Sequence, residues 1–233
     1  GSRRRWLTPM PEFQDQIARD PESSDSFSLA NRKLLKVELE AGAIQARRGS
    51  MVAYQGAVAF EHSGGGGLGR MVKKAMTGEG TPLMKVEGTG EVFLADSAQE
   101  VHLVKLTDDE LTCNGKSLLA FDAGIDWDIT RIKSGMSGAL AGGLFNVLLK
   151  GTGWVALLSD GPPLMLDVAE APTFADAQSA ICWSSGVSSQ LKTDVNLKTL
   201  TGRASGETIQ LAFTGAGWLM VQPSEGRIIP TIT

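Results

Sequence analysis

This sequence is short of the residues from which most chemical sites are built. Its 233 residues include two histidines, two cysteines and a single tyrosine. Transition-metal centres draw several imidazole, thiolate or carboxylate ligands to one point. His62 precedes a glycine run and His102 lies in "EVHLVKL". The two read as structural or surface residues, and no metal or other cofactor is expected. Two thiols, Cys113 and Cys182, do not make a disulfide framework and point to a reducing compartment. Cys182 stands between Ile181 and Trp183, so on a strand it faces away from both. No Gly-x-Ser-x-Gly elbow offers a nucleophile. No catalytic residue is assigned.

Long apolar runs are missing too. None reaches the roughly 18 residues of a membrane-spanning helix. Positive charge is in the minority: the net charge is −4 and the pI about 5.3. Proteins that neutralise phosphates carry a basic face, so nucleic acid is not an expected partner. Residues 1–26 read as a flexible leader. Gly1 and Ser2 look like a cloning scar, and Arg3, Arg4 and Arg5 lack the apolar core of a signal peptide. The stretch "PESSDS" has the composition of disorder. A cytoplasmic location is the expectation.

Glycine, by contrast, is abundant, at 28 residues, and it separates short apolar runs. That combination suggests tight turns and an all-β chain. One phrase recurs: "VEGTGEVFLA" from Val86, "LKGTGWVALL" from Leu149 and "FTGAGWLMVQ" from Phe213. Its first glycines, Gly88, Gly151 and Gly215, lie 63 and 64 residues apart. A serine followed by residues ending in an aromatic recurs as well, in "SMVAYQ", "SLLAFD" and "SAICWS", with Tyr54, Phe121 and Trp183 as the aromatics. A fixed period means repeated units. The units run over residues 27–90, 91–153 and 154–233, the last including a C-terminal tail. Each Gly-x-Gly marks a bend where strands turn a corner. A phosphate-cradling loop would open a helix instead, whereas strand-like "VFL", "VAL" and "LMV" follow here.

Alternation marks other strands, such as Leu35, Val37 and Leu39 in "KLLKVELE" and Ile125, Trp127 and Ile129 in "GIDWDITRI". Asp126 and Asp128 then fall on the polar face, which argues against paired catalytic or metal-binding carboxylates. An insertion from Gly64 to Gly80 differs in kind. Leu68, Met71, Val72, Ala75 and Met76 recur at helical spacing, with Arg70, Lys73 and Lys74 on the other face. A short helix covering one end of the β core is expected there, and "SGALAGGLFNVLLKG" occupies the equivalent place in the second unit. The three cations are the candidate contact for a protein partner or an anionic membrane surface.

Four phrases, "ARRGSMVAYQGAVAF", "GGGLGRMVKKAMTGEGTPLMKVEGTGEVFLAD", "LTCNGKSLLAFD" and "GGLFNVLLKGTGWVAL", closely resemble the altered-inheritance-of-mitochondria protein twenty-four family. The likeness spans about Phe27 to Gly226. It implies a fold similar to the tryptophan RNA-binding attenuation protein: a short double-stranded β-helix, repeated three times as a pseudo-trimer. The yeast member is an inner-membrane protein of mitochondria linked to membrane organisation, and the family carries no agreed catalytic residues. The leading expectation is a non-enzymatic binding or assembly module. An enzyme or small-ligand protein with a pocket between units, and a peripheral membrane protein using Leu68–Met76, are the alternatives.

Overall fold

A computed structural model describes residues 26–62, 83–131, 145–192 and 210–224. The described chain is all-β. β1 (Phe27–Asn31), β2 (Leu34–Arg47), β3 (Met51–His62) and β4 (Leu83–Leu94) come first. β5 (Glu100–Asn114), β6 (Leu118–Asp122), β7 (Asp126–Arg131) and β8 (Phe145–Ser159) follow. β9 (Leu164–Asp167), β10 (Thr173–Asp176), β11 (Ala180–Ser184), β12 (Val187–Leu191), β13 (Gln210–Gly215) and β14 (Trp218–Val221) complete it. The main sheet has the order β3-β4-β2-β6-β8-β5-β11-β14-β9, with β1 on β2 and β7 on β8. A second sheet has the order β10-β13-β12, and all the pairings are antiparallel.

The expected alternation is present. In β2, Leu35, Val37 and Leu39 are buried while Glu38 is exposed. In β7, Asp126 and Asp128 are exposed and Trp127 is half-buried. One expectation needs correction. Phe145–Lys150, within the phrase offered as the counterpart of a helix, is the first part of strand β8. Pairing decides it, because β8 is hydrogen-bonded to β5 on one side and β7 on the other, with Val147 and Leu149 buried. The expected helix at Leu68–Met76 lies outside the described residues.

The first two Gly-x-Gly phrases sit within strands, β4 and β8, rather than at their ends. Gly88 and Gly90 have φ of 134° and 150°, Gly151 and Gly153 132° and 151°, and Gly215 and Gly217 118° and 150°. Side chains rarely tolerate such values. At Gly88 a Cβ would also collide with the carbonyl oxygen of Ala57. Opposite the first bend, Ala41 takes a φ of 53° and gives its N–H to Thr89 Oγ1 at 3.2 Å. Opposite the second, Asp108 has φ 51° and gives its N–H to Thr152 Oγ1 at 2.9 Å. Each of these residues lies in a register shift, a β-bulge that turns the strand. The third phrase has Ala216 in place of the threonine, and there the strand is divided: β13 ends at Gly215 and β14 starts at Trp218, in different sheets.

Three hydrophobic clusters fill the body, and one of the fully buried phenylalanines Phe27, Phe121 and Phe213 lies in each. Burial of such a ring contributes roughly 1.5–3 kcal/mol before entropy is counted. The serine-aromatic phrases share one register. Tyr54 pairs with Val92, Phe121 with Val155 and Trp183 with Leu219. Each partner stands two residues after the second glycine of its phrase.

Candidate functional site

Among the described residues the nucleophiles and bases do not form a catalytic constellation. His102 Nε2 meets Ser159 Oγ at 2.7 Å, but the Ser159 hydroxyl gives its proton to the Gly161 carbonyl at 2.7 Å. Ser159 is therefore the acceptor, and His102 donates to it rather than activating it. Burial pushes the His102 imidazole below its ordinary range, with Glu100 opposing and Arg32 reinforcing the shift. His62 closes β3. Cys113 and Cys182 are register partners across β5 and β11, and both are free and buried. Burial pushes the Cys113 thiol up to about 12 and the Cys182 thiol well up too, so both stay protonated and unreactive near neutrality. Asp122 Oδ2 accepts the Trp154 N–H at 2.6 Å, next to the second bend, and its carboxyl is raised by burial. Ser184 Oγ accepts the Trp218 N–H in the same way at 3.1 Å. Among the described residues no His, Cys, Asp and Glu side chains converge in a group of three or more suited to a metal. The candidate contacts Arg70, Lys73 and Lys74 lie outside the described residues.

The conspicuous surface is a pair of open strand edges. In the sheet, Gln45 of β2 pairs with Phe121 of β6, and Thr112 of β5 pairs with Trp183 of β11. Gln45 and Thr112 are themselves equivalent. Their partners Lys85 and Leu148 each stand three residues before the first glycine of a phrase. Phe174 of β10 pairs with Ala212, three residues before Gly215, and so holds the same position in the third segment. Among the described residues no strand lies beyond β10, and none lies beyond β3 where Tyr54 sits. Accordingly Phe121 and Trp183 are 0% and 3% exposed, whereas Tyr54 is 47% and Phe174 51% exposed. Met51 and Val52 are exposed beside Tyr54.

A polar residue accompanies each such pairing. Arg47, at the end of β2, gives hydrogen bonds to the carbonyls of Gly115 at 3.2 Å and Leu118 at 2.9 Å, across the turn before β6. It also bonds the Lys116 carbonyl and pairs with Asp96 at 3.2 Å. Asn114, at the end of β5, gives Nδ2–H to the Ala177 carbonyl at 3.1 Å, across the turn before β11. Asp176, at the end of β10, is the third of this set. Its Oδ1 accepts the N–H groups of Gln178 and Ser179 at 2.7 and 3.2 Å. Its Oδ2 is the one buried side-chain oxygen among the described residues without a hydrogen-bond partner.

The comparisons with known proteins agree with this architecture. A family model described as "Mitochondrial biogenesis AIM24" matches residues 27–224. The chain belongs to the AIM24 family. No curated protein matches it. Among solved structures, the crystal structure of a Streptococcus pyogenes protein is similar in fold, with a TM-score of 0.67 and 21% identity. The match covers 85% of this chain and 92% of that one. No helix among the described residues is long and apolar enough to cross a membrane.

In this AIM24 chain the sequence reading missed Asp176, although a signal was present. Arg47, Asn114 and Asp176 each stand three residues before the serine of a serine-aromatic phrase, Ser50, Ser117 or Ser179. Three different side chains at one place do not register as a motif. Their common role is visible only once β6 and β11 are seen against β2 and β5.

Proposed function

We propose that the chain is a non-enzymatic assembly module, built of three copies of one β unit as a pseudo-trimer like that of the tryptophan RNA-binding attenuation protein. It takes its partner by strand addition at the open edges of β3 and β10. The observation that supports this is the repeated join: Gln45 opposite Phe121 and Thr112 opposite Trp183, in one register, with half of a third join on each edge. Main-chain hydrogen bonds along an added strand supply affinity, and side chains on alternate positions supply selectivity. The free, buried thiols suit a reducing compartment such as the cytoplasm.

A photo-crosslinking amino acid at position 54 or 174, in the source cell, tests the reading. Covalent adducts with a protein are expected at both positions and not at Glu40, which is exposed away from these edges. The absence of adducts at both positions would refute it.

A further inference from the structure

The pairing rule that joins the strands says which strand each open edge accepts. In the first join Ile44, Gln45 and Ala46 of β2 stand opposite Asp122, Phe121 and Ala120 of β6. In the second, Leu111, Thr112 and Cys113 of β5 stand opposite Ser184, Trp183 and Cys182 of β11. Thr173, Phe174 and Ala175 of β10 occupy the places of Ile44, Gln45 and Ala46, because their partners Phe213, Ala212 and Leu211 stand two, three and four residues before Gly215. Gln55, Tyr54 and Ala53 of β3 occupy the places of Asp122, Phe121 and Ala120. Both half-sites exist in this chain, yet β3 and β10 are not paired with each other.

We propose that a second copy of the chain completes the join, with β10 of one copy adding antiparallel to β3 of the next. The inference rests on the assembly reading above and names its partner. Tyr54 then stands opposite Phe174 of the second copy, Ala53 opposite Ala175 and Gln55 opposite Thr173. The two most exposed aromatic side chains of the described residues bury each other, as aromatic cross-strand pairs do in sheets. No charged side chain lies in Met51–Gln55 or Thr173–Ala175 to block such pairing, although charge on an edge is the common safeguard against it.

Electrostatics point the same way. In the joins already formed, a donor at the strand end reaches the main-chain carbonyl of the residue six places before the aromatic: Arg47 that of Gly115, and Asn114 that of Ala177. At the third, the strand end carries an acceptor, Asp176, with its Oδ2 unpartnered. The residue six places before Tyr54 is the exposed cation Arg48. There the Arg48 guanidinium of the second copy, rather than a main-chain carbonyl, is the group that gives Asp176 Oδ2 a donor. A join between unlike edges is heterologous, so it repeats from copy to copy and ends in a ring or a filament.

Thiol trapping tests the proposal. Directly opposed residues of antiparallel strands lie about 4.5–5.5 Å apart at Cα, within reach of a disulfide. The native thiols are buried and do not compete. Purified Tyr54→Cys and Phe174→Cys proteins are mixed and oxidised, and each is also oxidised alone. The mixture is expected to give a band at twice the 24.6 kDa chain mass, well above either protein alone. The Arg48→Glu substitution in the wild-type chain is expected to weaken self-association at least tenfold in sedimentation equilibrium with an unchanged Tm. A Tyr54→Cys/Phe174→Cys double variant that links only within one chain would overturn the proposal, as would a mixture with no heterologous band. Adducts at positions 54 and 174 with a different protein, and none with a second copy, would sink this inference and leave the assembly reading standing. No adduct with any protein would remove both.

Discussion

The Thr152 hydroxyl accepts the main-chain N–H of Asp108 at 2.9 Å and holds that residue at a φ of 51°, directly across the strand pair from the second glycine bend. A left-handed conformation at a non-glycine residue costs of order 1–3 kcal/mol and persists only where its surroundings enforce it. The bond is one of the enforcing contacts. Thr152→Val keeps the side-chain shape and removes the acceptor. It is expected to destabilise the fold by about 1 kcal/mol, a drop of roughly 2–4 °C in Tm for a chain of this size. Thermal unfolding followed by circular dichroism measures it. An unchanged Tm would show that the bulge holds without the bond.

The glycine bends differ in how much room surrounds them. At Gly88 an added Cβ collides with the Ala57 carbonyl oxygen, and at Gly215 with that of Gly186, whereas at Gly151 the nearest atom is 3.9 Å away. All three have φ values that side chains avoid. Gly151→Ala is expected to cost about 1–2 kcal/mol from backbone strain alone, and Gly88→Ala and Gly215→Ala roughly 3 kcal/mol or more. Denaturant titration of the three variants checks the ranking, and equal losses would contradict it.

His102 makes the fold sensitive to mild acid. Burial holds its folded-state pKa below the ordinary 6.5, so the unfolded chain binds the proton first as pH falls. The stability contributed by neutral His102 is present above pH 6.5 and is lost as pH drops through the folded value. Tm is expected to decline between pH 7 and pH 5 by a few degrees more in the wild type than in His102→Gln. Parallel profiles for the two proteins would refute the linkage.

The facing thiols should be silent in the native state. With Cys113 pushed up to about 12 and Cys182 raised too, little thiolate is present at pH 8, and both side chains are out of reach of solvent. A chromogenic disulfide reagent is expected to react with neither in the folded protein and with both after denaturation in guanidinium. Rapid release from the native protein would show that β5 and β11 part readily.

Much of this architecture is legible in the chain itself. A backbone with φ between 118° and 151° excludes side chains, so the three Gly-x-Gly phrases announced three glycine-only positions along the chain. Alternation in β2 and β7 follows from the two-residue period of a strand. Self-similarity gives a period without a phase, however. The boundaries set at Gly90 and Gly153 fall inside β4 and β8.

Burial of the serine-aromatic strands was beyond the sequence. "SMVAYQ", "SLLAFD" and "SAICWS" are alike in residue type, and each pairs with its own Gly-x-Gly strand in the same register. The tertiary structure alone separates them: β6 and β11 each have a second neighbour, β2 or β5, and β3 has none among the described residues. A strand's own residues determine which face is apolar, but its exposure depends on whether another edge arrives beside it. Arrival is a long-range event, set for β6 and β11 by strands more than sixty residues away in the chain, and among the described residues no such strand reaches β3.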